Sequence, residues 1–459
     1  MRNFLSPFHC SLDVPIARSS RKPLSTSLPA LPPELWREIF EFATYMHRSY
    51  HVDPLDPFIP RRPSSNAMAP NTPLLAQRTK CAITLVCRLW HNIAIPLLYR
   101  HIVLVSPSRA TAFLQTLNRH VSPTSRGPPI SEYGRFVRNL EILTHARNAH
   151  HISYLRTVFR ILMSCPNLHL LSGTWNHPLP DDFMNGLLRI CAPTLKELFW
   201  HDGRAQSFMH PDNLSIFGSL RVLNLRNYSG RDLTPEVFAR RPTIPLVDHL
   251  ILSTTNASFV AATAFTLPKL HTLTLKSSEL ASTAVELEEV LVDFLKLHGP
   301  HLRFVHLPGA HIDTDCDPLA PSLPSHACRP RPEVFLRKGL CPQLHTMTFS
   351  TSAPVIQTDE PHPTLRRIGL RDATSMSLYP NKGSSAKLHL NAFTRARFPA
   401  LELVRTIGYL VDADTDILVE EVFIWWTEKF EKEGIDFQDG AGVVWVYDEE
   451  EKKVEVPVA

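Results

Sequence analysis

The sequence predicts an α/β chain in which a small all-helical unit is followed by a solenoid of repeats with a parallel sheet. Three observations carry that prediction: a leucine-spaced block recurs through the middle of the chain, helix-like stretches lie between its copies, and proline rather than glycine dominates the turn-forming residues. Of 459 residues, 44% are hydrophobic and 20% are charged. That balance excludes global disorder and permits about three compact units or one long array. With 40 prolines and only 16 glycines, the chain favours many short elements separated by stiff turns over glycine-rich phosphate loops.

The recurring block is L-x-x-L-x-L. Its clearest copies are Leu220/Leu223/Leu225 and Leu270/Leu273/Leu275, with others at Leu195/Leu198/Trp200, Val247/Leu250/Leu252, Leu302/Val305/Leu307, Leu344/Met347/Phe349 and Leu365/Ile368/Leu370. Weaker copies sit at Val137/Leu140/Ile142, Leu168/Leu171 and Leu401/Val404. Their starts, 137, 168, 195, 220, 247, 270, 302, 344, 365 and 401, are 31, 27, 25, 27, 23, 32, 42, 21 and 36 residues apart. Most gaps fall near the period of leucine-rich repeats, and the long ones hold insertions. The last two apolar positions lie two apart, so a strand points both to one side. The first arrives from the turn before it. One repeat cannot cover the layer they form, so neighbours must stack. Tyr154–Met163 and Val285–Leu297 read as helices on the outer side, the second with Leu287, Val290, Leu291, Phe294 and Leu295 on one stripe. The array is expected over residues 99–410.

The remaining features are mostly structural. Lys+Arg 48 against Asp+Glu 44 leaves +4, too little for nucleic-acid or membrane binding by bulk charge. No uninterrupted apolar run reaches membrane-spanning length. None of the eight cysteines forms a C-x-x-C pair, which argues for a reducing, intracellular location, cytoplasm or nucleus. Cys165, Cys191 and Cys341 each precede a leucine block and are expected to fill apolar corners where helix meets strand. His145, His150 and His151 cluster, as do Asp313, Asp315, Cys316, Asp317, His326 and Cys328; the second group lies in a proline-rich stretch and reads as a solvated loop, and no metal site is expected. No Walker loop, G-x-S-x-G, H-E-x-x-H or dinucleotide fingerprint is present, so neither catalysis nor a cofactor is expected. Residues 1–30 read as a disordered basic tail. Residues 411–459 read as a cap: a helix over Asp416–Phe430, a strand over Val443–Tyr447, then an acidic tail. Trp425 and Trp426 are assigned to capping, with a substrate-contacting patch as the alternative.

The stretch with functional content is Leu31-Pro32-Pro33-Glu34-Leu35-Trp36-Arg37-Glu38-Ile39-Phe40. The two prolines suit a helix entrance, and Glu34 suits its first turn. Leu35, Trp36, Ile39, Phe40 and Ala43 make a wide apolar stripe on a helix of about three turns, too short to be stable unless it buries that stripe. A second stretch from Thr72 to Ala94 carries Ala82, Leu85, Val86, Leu89, Trp90, Ile93 and Ala94 at helical spacing. Pro96 is expected to stop it, and Leu97–Leu104 to enter the first strand. Between the halves, prolines 54, 57, 60, 63 and 70 mark an extruded insert at 44–72, with Pro73 at its edge.

These residues resemble the F-box: Leu31-Pro32-x-Glu34-Leu35-x-x-x-Ile39-Phe40 matches its first half, and Leu85-Val86-Cys87-Arg88-x-Trp90-x-x-Ile93-Ala94 its second. The Leu97-Leu98-Tyr99-Arg100-His101 run is similar to F-box proteins of mushroom-forming fungi. The resemblance covers about thirty residues of the unit at 31–98, and the family usually joins the halves with a shorter link. It implies docking on a Skp-type adaptor and, through it, on a cullin and a RING subunit. The chain would then be the substrate-recognition subunit of a Skp–cullin–F-box ubiquitin ligase, holding a protein substrate on its leucine-rich-repeat-like array. The implied adaptor-binding residues are Leu31, Pro32, Leu35, Ile39, Phe40, Leu85, Val86, Cys87 and Trp90. The periodicity alone also fits a non-ligase interaction scaffold whose N-terminal helices only cap the solenoid.

Overall fold

The computed structural model describes residues 31–44, 56–58, 73–119, 121–122, 130–143, 150–175, 179–202, 211–226, 233–277, 284–309, 330–358, 360–379, 383–409, 411 and 417–446. The expected tails, most of the 44–72 insert, His145 and the 313–328 cluster lie outside them.

Each of the ten leucine blocks becomes a strand. In chain order the strands are β1 (His101–Leu104), β2 (Val121–Ser122), β3 (Ile130–Ser131), β4 (Asn139–Ile142), β5 (Leu170–Trp175), β6 (Glu197–Asp202) and β7 (Val222–Asn224). They continue as β8 (His249–Ser253), β9 (Thr272–Lys276), β10 (Phe304–His306), β11 (Thr346–Ser350), β12 (Arg367–Arg371), β13 (Leu403–Ile407) and β14 (Asp436–Gln438). β2 and β3 form a small antiparallel pair, and the other twelve make one sheet in the order β1-β4-β5-β6-β7-β8-β9-β10-β11-β12-β13-β14. Every neighbouring pair in that sheet is parallel. The chain is thus an α/β solenoid.

The register explains why a loosely spaced block still gives one fold. Leu140, Leu171, Leu198, Leu223, Leu250, Leu273, Val305, Met347, Ile368, Val404 and Phe437 sit opposite one another in a single row across the sheet. All are buried. Each such burial stabilises by about 1.5–3 kcal/mol, and a one-residue slip would turn that row to the wrong face. Insertions between blocks lengthen loops without disturbing it. Helices cover the row from one side: His150–Met163 buries Leu155, Val158, Ile161 and Leu162, and Ala284–His298 buries Leu287, Leu291, Phe294 and Leu295.

The three proline-flanked cysteines are buried and free, packed in the same core as the leucines. Burial raises the Cys165 thiol and pushes Cys191 and Cys341 up to about 12.

At the C-terminal end, the helix Ile417–Glu431 buries Trp426, whose Nε1 donates to the Leu378 carbonyl at 2.7 Å. Trp425, beside it, is exposed. The closing strand is β14, at 436–438 rather than the expected Val443–Tyr447. Gly434, at φ 64°, turns the chain back from the helix end, and Phe437 then joins the buried row. The Asp439 carboxylate accepts the N–H groups of Ala441 and Val443 at 2.9 Å each. That bend takes Val443, Val444 and Val446 off the sheet edge and leaves them exposed.

Candidate functional site

The N-terminal unit has three helices where the spacing suggested two: α1 (Pro33–Ala43), α2 (Pro73–Thr84) and α3 (Arg88–Tyr99). The second stretch breaks at Leu85–Cys87. Cys87 lies in extended conformation at φ −159°, and its Sγ caps α3 by accepting from Trp90 N at 3.5 Å. Pro96 does not end α3, which runs on to Tyr99. A proline removes one helical hydrogen bond, that to the Asn92 carbonyl. Asn92 and Pro96 line an open cleft, while Leu97, one residue on, is buried and packs in the unit's core with Phe40, Ile83 and Ala94. Leu97–Tyr99 therefore belong to α3, and the entry strand begins only at His101.

The interior of the unit is small. Phe40, Ile83, Ala94 and Leu97 are buried together, with Trp36, Trp90 and Ile93 packed against them. The Trp90 ring lies 4.8 Å from Trp36 and 4.9 Å from Phe40, and Thr44 Oγ1 donates to the Phe40 carbonyl at 2.7 Å. Of the residues implied as adaptor contacts, two pack against the unit's own aromatics. Phe40 is 2% exposed and belongs to the interior. Trp90 is half-buried, tilted against Trp36 and edge-on to Phe40. Two bulky rings one turn apart on so short a helix, with a third facing them, bury each other before any other partner can use them.

The other implied residues stay outside. Leu31, Leu35, Ile39, Leu85 and Val86 are exposed large hydrophobics, and Pro32 and Cys87 are also exposed. Sequence reasoning missed two members: Phe42, at 77% exposure, and Leu89. The signal for Phe42 was available, because it falls three residues after Ile39 and seven after Leu35 on the same stripe. Leu31, Leu35, Ile39 and Phe42 make an apolar row on the side of α1 away from Trp36 and Phe40. Leu85, Val86 and Leu89 make a second exposed set at the α2–α3 turn.

α3 joins this unit to the sheet. The Tyr99 ring stacks on Tyr133 at 4.6 Å, and burial with the neighbouring Tyr133 pushes its hydroxyl up to about 12. The Arg100 carbonyl accepts the N–H of both Arg138 and Asn139, at 2.9 and 3.0 Å, which sets the first register of the sheet. His101 Nε2 lies 2.8 Å from Glu141 Oε1 across β1 and β4. A cleft of about 640 Å³ separates the helices from the first repeats, lined by Glu34, Arg37, Asn92, Arg138 and His169 among others. Burial, with the Lys196, Arg138 and Arg100 cations nearby, lowers His169 to about 4.

Among the described residues no group of three or more His, Cys, Asp or Glu side chains is placed to hold a metal ion, and no helix is long and apolar enough to cross a membrane. No family model matches the chain, and no curated protein matches it. Among solved structures, a crystal structure of a protein from Bacteroides fragilis is similar over 76% of this chain and 76% of that chain, at 10% identity and a TM-score of 0.34.

Proposed function

We propose that this chain is the substrate-recognition subunit of a Skp–cullin–F-box ubiquitin ligase, docking on the adaptor through its N-terminal helices and holding a protein substrate on the solenoid. The observation that supports it is the outward row Leu31, Leu35, Ile39 and Phe42, with Leu85, Val86 and Leu89 exposed at the following turn. A helix unit that served only as a lid would turn such side chains inward, because each one left in water forgoes about 1.5–3 kcal/mol. Contiguous exposed apolar surface marks a partner site. In this reading the chain does no chemistry of its own and takes no cofactor. It brings a substrate close to another subunit's reaction, inside the cell.

A second reading, a scaffold outside any ligase whose helices cap the array, is favoured by one observation: α3 runs directly into β1 and stacks Tyr99 on Tyr133. Co-purification with the Skp-type adaptor from the same species separates the two. The wild-type chain is expected to bring the adaptor down in stoichiometric amount, and Leu35→Asp with Ile39→Asp is expected to abolish this while circular dichroism shows the sheet intact. Adaptor binding unchanged in the double variant, or absent from the wild type, overturns the ligase reading.

A further inference from the structure

Three residues of the proline-rich insert lie far from the helices that flank it. Asp56, Pro57 and Phe58 sit on the face of the sheet opposite the helices, against β12 and β13. The Phe58 ring is 5% exposed and lies between two guanidinium groups, 5.0 Å from Arg367 Cζ and 5.5 Å from Arg405 Cζ. Asp56 Oδ2 accepts from Arg367 Nη1 at 3.1 Å, and its Oδ1 accepts the Phe58 N–H at 2.9 Å. Arg405 Nη1 donates to the Phe58 carbonyl at 2.6 Å. Every element of a peptide complex is present: a charge-assisted bond, a main-chain bond, and an aromatic ring between cations.

The receiving side is built into the strands. Arg367 Nε donates to Thr346 Oγ1 at 3.1 Å. Arg405 Nε donates to Gln438 Oε1 at 3.1 Å, with Nη2 on the same oxygen. Gly442, at φ 87°, packs so closely that an added Cβ would come within 2.8 Å of Arg405 Nη2. Arg405 is 4% exposed; burial works against its charge, while Asp439 and Asp56 favour it. Residues of four strands thus hold the two guanidinium groups through contacts that do not involve the insert, and Arg405 has a further donor directed into the groove. The insert is long enough to supply that ligand. Thirteen residues from Ala43 to Asp56 reach at most about 45 Å, and β1 to β12 is nine strand spacings of about 4.8 Å.

We propose that the groove formed by Thr346, Arg367, Arg405 and Gln438 binds a protein segment of the form carboxylate–x–aromatic, and that Asp56-Pro57-Phe58 fills it as an internal ligand which such a segment displaces. This names a substrate chemistry for the solenoid and does not depend on the docking of the N-terminal helices. A tethered occupant faces its site at an effective concentration near the millimolar range, so one that binds with Kd of about 0.1 mM holds off an outside peptide about tenfold.

The test uses a fluorescein-labelled peptide of residues 55–60, Leu-Asp-Pro-Phe-Ile-Pro, titrated against the full chain by fluorescence anisotropy. Asp56→Ala with Phe58→Ala is expected to tighten peptide binding about tenfold over wild type, and Asp56→Asn alone to give a smaller gain. Arg367→Ala, added to the double variant, is expected to weaken binding at least tenfold, with the thermal melt confirming that the sheet is folded. A peptide with Asn and Ala in place of Asp and Phe is expected not to bind. The proposal is overturned if the folded double variant does not bind the peptide, or if binding ignores Arg367→Ala. Neither arm involves the adaptor, so failure here leaves the ligase reading standing, and failure of that reading leaves this one standing.

Discussion

The three-helix unit and the repeat sheet are made from the same kinds of apolar side chain and use them in opposite ways. In the sheet, the leucine positions of one repeat are covered by the next, and a continuous core runs from Leu104 to Phe437. In the helical unit the buried cluster is just Phe40, Ile83, Ala94 and Leu97, while Leu35, Ile39, Phe42 and Leu85 face outward. The lesson is about geometry more than composition. A parallel array offers every strand two neighbours and a covering helix, whereas three short helices enclose only the side chains that point at their common axis.

The largest expected effect comes from breaking the array at its middle. Leu250→Asp puts a charge into the fully buried row between Leu223 and Leu273 and leaves it without a partner, so it is expected to abolish cooperative unfolding or prevent soluble expression. Phe40→Ala is expected to cost about 3–5 kcal/mol, but locally: hydrogen exchange should speed up over residues 33–43 and 73–99 while amides in β7–β10 keep their protection. Equal loss of protection in both regions would mean that the helices and the sheet fold as one unit.

A smaller, graded effect follows from histidines on the helix-free face. His249 and His306 bond to Thr274 and Thr348 across the strands, at 2.9 and 3.0 Å. Burial, then nearby cations, lowers them to about 4 and about 3, against about 6.5 in the unfolded chain. Above pH 6.5 both states are neutral and nothing changes. As pH falls below it, only the unfolded chain takes up protons, so stability drops until the folded values are reached. Each histidine is expected to remove about 2 kcal/mol between pH 7 and pH 5. His306→Asn should flatten that slope in urea midpoints measured across the range, and an unchanged slope would locate the sensitivity elsewhere.

The mildest test leaves the fold untouched. With brief iodoacetamide treatment at pH 8, the exposed Cys87 is expected to alkylate, while Cys165, Cys191 and Cys341 stay unmodified by peptide mass mapping because their thiols are buried and hard to ionise.

Much of the solenoid was legible because its code is local. Each L-x-x-L-x-L block carries its own strand and its own inward face, so ten blocks predict ten strands even when the gaps between them range from 21 to 42 residues. The helix stripes at 154–163 and 285–297 were readable for the same reason. The candidate docking residues were legible as a set, but their division was not. Phe40 and Ile39 are neighbours with similar chemistry, and periodicity gives both as apolar; only the position of Trp90, fifty residues later, sends one inward and leaves the other out. The closing strand was misplaced because Val443–Val446 has the better strand composition, while Gly434 and Asp439 decide where the chain can meet the sheet edge.

By itself, then, the sequence determined the repeat, the layer it fills and the kinds of side chain available for a partner. Tertiary structure alone decided the rest: which apolar groups are consumed, which remain outside, and that an insert beginning beside the first helix delivers Asp56 and Phe58 to arginines more than three hundred positions away. Local pattern specifies what each segment must bury, because periodicity is a property of a few consecutive residues. Contacts between distant segments arise only when the stacked strands bring Arg367 and Arg405 side by side, and nothing in either local stretch records the other.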